Sequence, residues 1–428
     1  MISLQSVLKP LTYVPSGNSF GGEIHRISDP DFVVIPLQYP GQILYMPEVR
    51  KGDEVRKNQI IGRSKLGNCV HASISGVVKD IKTIWTVGGY HVPAVEIERN
   101  DAAPMPPDDI FEKSGVRGRV LSWVDRLKAS GVVCPWTLPG RFHHEESTDD
   151  LPEIDTIVIK GVNEEPTVFT FETLLEKQVE DIKSGMDFLE GVAPRASVIL
   201  TVPKRLEGWA SKEFDGKAKV VALSDQYKER IERFAVPRIS NKTIPNTFAY
   251  RRKGVGVLSV EYLIAMIDAL EGKGPFTEKH ATIAGDSLSK TVLVRFPIGT
   301  TIRTILHDLG LDNVPYSRLL VGGPMKGAAQ FTDDIPITKS GHGVYLVSEE
   351  KVPPDVNLPC INCGRCTRAC PANLQVHLIG RYVEHNLVYD TGKFHPEACN
   401  ECGLCAYVCP AHRPLVQMIK LCNQQEDK

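Results

Sequence analysis

Hydrophobic and polar positions divide the chain into four differently patterned stretches. Between residues 33 and 98, short apolar runs alternate with glycine-rich turns. Val33 to Leu37 reads as a strand, Gly52-Asp53 as a turn, and Gln59 to Gly62 and Val70 to Val78 as further strands. Residues 154–270 alternate apolar runs with 3.6-residue periodicity. Thr156 to Ile159 and Ser197 to Val202 are expected to be buried strands, and Phe171 to Leu189 and Val260 to Leu270 helices. Residues 280–347 are strand-rich with one helix. Thr291 to Phe296 and Arg318 to Val321 are its strands, Thr301 to Leu309 its helix, and Gly322-Gly323-Pro324 closes the second strand. The last stretch is helical: Leu374, Leu378, Tyr382 and Leu387 fall near one face, and Leu415, Ile419 and Cys422 near another. The fold class is therefore multidomain α/β, with expected divisions at 1–100, 101–275, 276–350 and 351–428.

Size and charge narrow the picture. At 428 residues the chain exceeds one ordinary core, and a net charge of −2 argues against a nucleic-acid surface or a polybasic membrane anchor. No run of eighteen apolar residues occurs, so no direct membrane span is expected. Met1 to Pro15 lacks the pattern of a signal peptide. Any membrane association is expected to be peripheral, through partner subunits.

Cysteine supplies the chemistry. Eight of eleven cysteines form two runs, Cys360-x2-Cys363-x2-Cys366-x3-Cys370-Pro371 and Cys399-x2-Cys402-x2-Cys405-x3-Cys409-Pro410. Structural zinc typically takes four ligands in two separated CxxC pairs, whereas here a four-cysteine run with a trailing proline is written twice. The run resembles that of bacterial two-cluster ferredoxins, which bind two [4Fe–4S] cubes. That resemblance implies a crossed pairing, in which the fourth cysteine of each run ligates the other cube. One cluster takes Cys360, Cys363, Cys366 and Cys409; the other takes Cys399, Cys402, Cys405 and Cys370. Cys69, Cys134 and Cys422 read as structural thiols. Arg365 and Arg368, beside the first run, read as a solvated face or as steering groups for an acidic partner.

The first stretch resembles the barrel-sandwich hybrid of biotinyl and lipoyl carriers. Lys65-Leu66-Gly67-Asn68-Cys69 does not make the carriers' lysine signature, so a structural copy is expected, with His71 as a packed strand-end residue. Further motifs follow in order: Phe20-Gly21-Gly22-x-Ile24-His25, Val70-His71-Ala72, Gly322-Gly323-Pro324-Met325-x-Gly327, Asp334-x-Pro336-x-x-Lys339, and Pro414-Leu415-Val416-Gln417 after the second cysteine run. Together they resemble the C subunit of the Rnf ion-translocating electron transport complex, over nearly the whole length. That resemblance implies an α/β domain similar to the flavin subunit of respiratory complex I, which carries FMN and takes hydride from NADH. It also implies a β-grasp-like domain of the SLBB type and a helical two-cluster ferredoxin domain. Implied partners are the other redox subunits of a membrane complex and a ferredoxin or similar carrier. The implied location is cytoplasmic, peripheral to the cell membrane.

The flavin motifs depart from that family. Its glycine-rich loop, G-x-G-G-A-G-F-P, lets backbone N–H groups approach phosphate and ring. The aligned stretch from Gly131 to Gly140 contains Cys134-Pro135-Trp136, and proline has no amide to donate. The motif N-G-x-E-C-E-P becomes Lys160-Gly161-Val162-Asn163-Glu164-Glu165-Pro166, leaving Gly161, Glu165 and Pro166 as cofactor-binding remnants; K-Y-P-Q-G-G-E becomes Gln226-Tyr227-Lys228-Glu229-Arg230. FMN and NADH binding are therefore expected to be weak or absent, and the chain's own NADH dehydrogenase activity doubtful, with no catalytic residue assigned. Three alternatives stand beside this reading: an FMN-dependent dehydrogenase subunit with an altered loop, a soluble reductase such as a cobalamin reductase, and a non-redox scaffold.

Overall fold

The computed structural model describes residues 22–38, 44–106, 122–132, 153–244, 250–352 and 358–426. Cys134, the aligned flavin loop from Val133 onward and Phe20-Gly21 lie outside them.

Residues 32–99 form two small sheets. One has the order Phe32–Pro36, Tyr90–Arg99, Gly76–Thr86, Glu54–Val55; the other is Tyr45–Pro47, Ile60–Ser64, Cys69–His71. Alternation places Val33, Ile35, Val95 and Ile97 in the core between them, with Ile61 and Val70 opposite. Gly76 permits the closest crossing, since a Cβ there would lie 2.0 Å from the Glu98 carbonyl oxygen.

The α/β stretch is a parallel four-stranded sheet in the order Lys219–Leu223, Ser197–Pro203, Thr156–Lys160, Val255–Ser259. Ile157, Val158 and Ile159 are all fully buried, as a strand covered on both faces requires. The expected 171–189 helix is two helices, Thr170–Lys177 and Val179–Val192. Gln178 leaves the helical region at φ −124°, ψ 46°, and the turn brings Ile182, Met186 and Leu189 onto the same core as Leu174 and Leu175. The strand order reverses between Thr156–Lys160 and Val255–Ser259, and Gly161 to Phe169 leave the sheet there, where open α/β sheets place ligands.

Residues 278–347 form a mixed sheet around Ala281, Ile283, Val294, Phe296 and Leu346, with the helix Ile302–Asp308 packed on it. One strand comes from elsewhere. Ile24–Arg26, expected to belong with the first stretch, pairs parallel with Val292–Pro297 and completes a six-stranded sheet.

Buried charges tie this sheet to its neighbours. Glu261, at the start of the helix Val260–Leu270, accepts from Lys279 and from the His280 N–H at 2.8 Å. Lys339 donates to the Gly131 carbonyl at 2.6 Å, beside His71 of the barrel.

In the C-terminal segment, the helices Val376–Glu384 and Leu415–Glu426 pack through Val376, Ile379, Leu415, Met418, Ile419 and Cys422. The expected face of the first helix is rotated. Leu374 precedes the helix and Leu387 follows it, 45% exposed, so counting from Leu374 sets the wrong phase. Among the described residues, no helix is long and apolar enough to cross a membrane.

Candidate metal centres

The two cysteine runs fold as two copies of one backbone pattern. In each, the residue before the second cysteine and the glycine after it are left-handed: Asn362 (φ 56°) and Gly364 (φ 68°), then Glu401 (φ 51°) and Gly403 (φ 78°). Each glycine caps a short helix carrying the third cysteine, Arg365–Ala369 and Leu404–Tyr407. Two residues past each Cys-Pro, Asn373 (φ 56°) and His412 (φ 48°) are again left-handed. Such a conformation is uncommon for non-glycine residues, so its recurrence at matching positions marks a shared structural requirement. In the second loop the Glu401 N–H donates to Cys399 Sγ at 3.3 Å.

The thiols gather in two sets drawn from both runs. Cys360, Cys363, Cys366 and Cys409 line one cleft, partly open to solvent and walled by Ile361, Pro410, Ala411 and Leu415. Cys370 instead lies with Cys399, Cys402 and Cys405. Burial first, then the charges of Cys399, Cys402 and Cys370, push the Cys405 thiol far above its ordinary range. Burial, with Cys402 and Cys370 behind it, pushes Cys399 to about 11 against the Glu401 amide. Cys366 is likewise raised by burial and by Cys409 and Cys360. Buried thiols crowded this way resist ionising alone, and a polynuclear cation repays the cost of four thiolates together. Among the described residues, no three His, Cys, Asp or Glu side chains converge as a single metal ion would need. The thiols of the first set line a cleft and those of the second lie close together, and an all-sulfur donor set of this kind fits a [4Fe–4S] cube.

The two sets differ in cover. Beside the first, Leu358 and Ile361 (67%) are exposed, and Arg368 donates to the Cys363 carbonyl at 3.0 Å, so this arginine does more than face solvent. The second is sheltered by other parts of the chain. Tyr227 Oη donates to the Cys402 carbonyl at 2.8 Å, and Cys402 and Leu404 share a small core with Tyr227, Ile231 and Met325.

Of the three residues expected as cofactor-binding remnants, Gly161 and Glu165 have hydrogen-bond partners within the chain. The Gly161 N–H donates to the Thr201 carbonyl at 3.0 Å, and a Cβ on Gly161 would lie 2.5 Å from that oxygen. Pro166 is buried. The Glu165 carboxylate is buried, which raises its pKa, and accepts from the N–H groups of Met325 (3.0 Å) and Lys326 (2.5 Å). Asn163 Oδ1 accepts from the Phe171 N–H at 2.7 Å, near the start of the helix Thr170–Lys177. Sequence reasoning missed Tyr227 and Met325 as neighbours of the cysteines. The spaced glycines of Gly322 to Gly327 were a usable signal, because such glycines often mark close backbone packing.

Of the other thiols, Cys69 is buried, pushed by burial to about 11, and accepts from Arg63 at 3.2 Å. Cys422 Sγ donates to the Met418 carbonyl at 3.3 Å.

Comparison with known proteins gives matches at both ends of the chain. Residues 17–102 match the RnfC barrel sandwich hybrid domain, and residues 359–412 match a 4Fe-4S dicluster domain. The chain is 28% identical over 359 residues to the C subunit of the proton-translocating ferredoxin:NAD(+) oxidoreductase complex of Clostridium ljungdahlii, covering 82% of this chain and 78% of that one. It is 24% identical over 372 residues to the C subunit of the Na(+)-translocating ferredoxin:NAD(+) oxidoreductase complex of Acetobacterium woodii, covering 84% and 82%. It is 27% identical over 392 residues to the C subunit of the ion-translocating oxidoreductase complex of Methanosarcina acetivorans, covering 82% and 84%. Among solved structures, an air-oxidised NAD+-reducing [NiFe]-hydrogenase aligns at 15% identity with a TM-score of 0.40, over 76% of this chain and 57% of that one.

Proposed function

We propose that this protein, which resembles the Rnf C subunit over most of its length, is an iron–sulfur electron-transfer subunit of a membrane-bound ion-translocating oxidoreductase. The observation that carries the reading is the pair of four-thiol sets on a repeated backbone. Bound there, two [4Fe–4S] clusters supply one-electron steps. Cys360, Cys363, Cys366 and Cys409 hold the first, and Cys399, Cys402, Cys405 and Cys370 the second. The protein's own part is to shelter the second set behind the α/β sheet and to leave the first near the surface, beside Ile361 and Arg368. Electrons enter or leave by the exposed set, to a ferredoxin or similar carrier or to a neighbouring redox subunit. The chain sits on the cytoplasmic side of the cell membrane, held by its partner subunits.

We further propose that the α/β stretch is a flavin-subunit-like domain that has lost firm FMN and NADH binding, and that residues 276–350 are a β-grasp domain of the SLBB type. Two features support the loss of flavin: Pro135-Trp136 replaces loop glycines, and both Glu165 oxygens are engaged by backbone amides. Anaerobically purified or reconstituted protein should contain about eight irons per chain, as two cubes require, with [4Fe–4S] EPR signals on reduction and little extractable flavin. Zinc in place of iron would sink the electron-transfer reading. Near-stoichiometric FMN with clusters reduced by NADH would sink the loss of flavin binding and leave the electron-transfer reading standing.

A further inference from the structure

We propose that Glu165 and Tyr227 are positioning residues that clamp the second cysteine loop, Cys399 to Cys405, and thereby set the potential of its cluster apart from that of the other. The inference rests on the two-cluster reading above. It gives Glu165, in the remnant of a flavin motif, a different task.

The clamp has two arms. In the first, the Glu165 carboxylate accepts the successive amides of Met325 and Lys326. The loop it holds is stiff. Gly322 is left-handed (φ 118°), the Gly327 N–H returns to the Gly323 carbonyl at 3.0 Å, and a Cβ on Gly323 would lie 2.5 Å from Glu165 Oε2. The other side of this loop bears on the cysteines, because a Cβ on Gly403 would lie 2.4 Å from the Met325 carbonyl oxygen. Carboxylate, glycine loop and cysteine loop are thus stacked with no spare space. In the second arm, Tyr227, 1% exposed, donates to the Cys402 carbonyl. Its short helix is anchored by Arg230, which pairs with Glu172 at 3.0 Å and Asp225 at 2.7 Å.

The first loop is held differently. Arg368, from its own segment, donates to the Cys363 carbonyl, and a Cβ on Gly364 would meet only Arg368. Two loops with one ligand pattern therefore sit in unlike surroundings. Hydrogen bonds, nearby charge and exposure set cluster potentials, so the clamp separates the two. The Tyr227 hydroxyl points its positive end at the backbone of a ligand, which favours the cluster's more negative, reduced state.

The test is an EPR-monitored redox titration of the full chain, loaded anaerobically, for the wild type and the variants Tyr227→Phe, Glu165→Gln, Glu165→Ala and Arg368→Gln. Tyr227→Phe removes one oxygen and should move one cluster to a more negative potential while the other stays put. Glu165→Ala should change the line shape of that same cluster. Glu165→Gln, whose amide oxygen still accepts, should restore part of it. Arg368→Gln should move the other cluster. Tyr227→Phe leaving both potentials unchanged, or moving both equally, overturns the clamp; it also decides the matter if Glu165→Ala fails to fold. A wild type that shows no cluster signal at all is a failure of the two-cluster reading, distinct from these.

Discussion

Lowering the pH from 7.5 to 5.5 should destabilise the fold by about 1.4 kcal/mol through a single side chain, His71. The imidazole is 5% exposed. Burial, followed by the Lys339 charge, holds its pKa down to about 3. In the unfolded chain the same group titrates near ~6.5. The folded value is the lower one, so below ~6.5 the unfolded state takes up the proton and the folded state does not. The contribution is complete above that pH and is lost progressively as pH falls toward about 3. Between pH 7.5 and 5.5 the unfolded imidazole goes from roughly one-tenth to nine-tenths protonated, and the linkage integral is about 1.4 kcal/mol. The assay is denaturant unfolding at both pH values for the wild type and His71→Leu. Leucine fills similar space and does not titrate. Other titrating groups act alike in both proteins, so the variant should lose about 1.4 kcal/mol less on acidification. Equal losses in the two proteins would refute the argument.

Three further outcomes are expected. Removing Cys360 together with Cys409 should leave one cluster and about four irons per chain, whereas removing Cys360 with Cys370 should damage both and leave fewer; iron analysis with EPR decides. Glu172→Ala takes from Arg230, whose side chain is fully buried, the equally buried carboxylate it pairs with at 3.0 Å. Breaking a buried pair costs about 3–5 kcal/mol, and a midpoint in urea within error of wild type would contradict it. Gly403→Ala combines a left-handed residue (φ 78°) with the Met325 carbonyl 2.4 Å from the new Cβ. The φ penalty alone is ~1–2 kcal/mol, and the iron content should fall toward about four per chain, because only the second loop is displaced.

What can be read from the sequence is local. The cysteine runs announce themselves because cluster ligands are fixed by short spacings, and the parallel strands because fully buried strands are uninterrupted apolar runs such as Ile157-Val158-Ile159. Relations between distant segments are not legible. Glu165 looks like a cofactor ligand because its acceptor atoms are visible in the sequence, while the amides that fill them lie about 160 residues away. Tyr227 looks like debris of a lost motif, yet its hydroxyl reaches a carbonyl 175 residues further on. The helix Val376–Glu384 is legible but misphased, since leucines just outside it, Leu374 and Leu387, shift the count.

The parallel pairing of Ile24–Arg26 with Val292–Pro297 also has a consequence for how the chain is made. Its partners are about 270 residues apart. At ~5–20 residues per second of synthesis, the N-terminal strand waits roughly a quarter of a minute to nearly a minute on the ribosome before its neighbour emerges. The strand is suited to that delay. It is three residues long, and His25 and Arg26 are exposed even in the finished sheet, so it offers little for a wrong edge to seize. Assembling this sheet therefore includes recovering a segment translated long before the strand it pairs with.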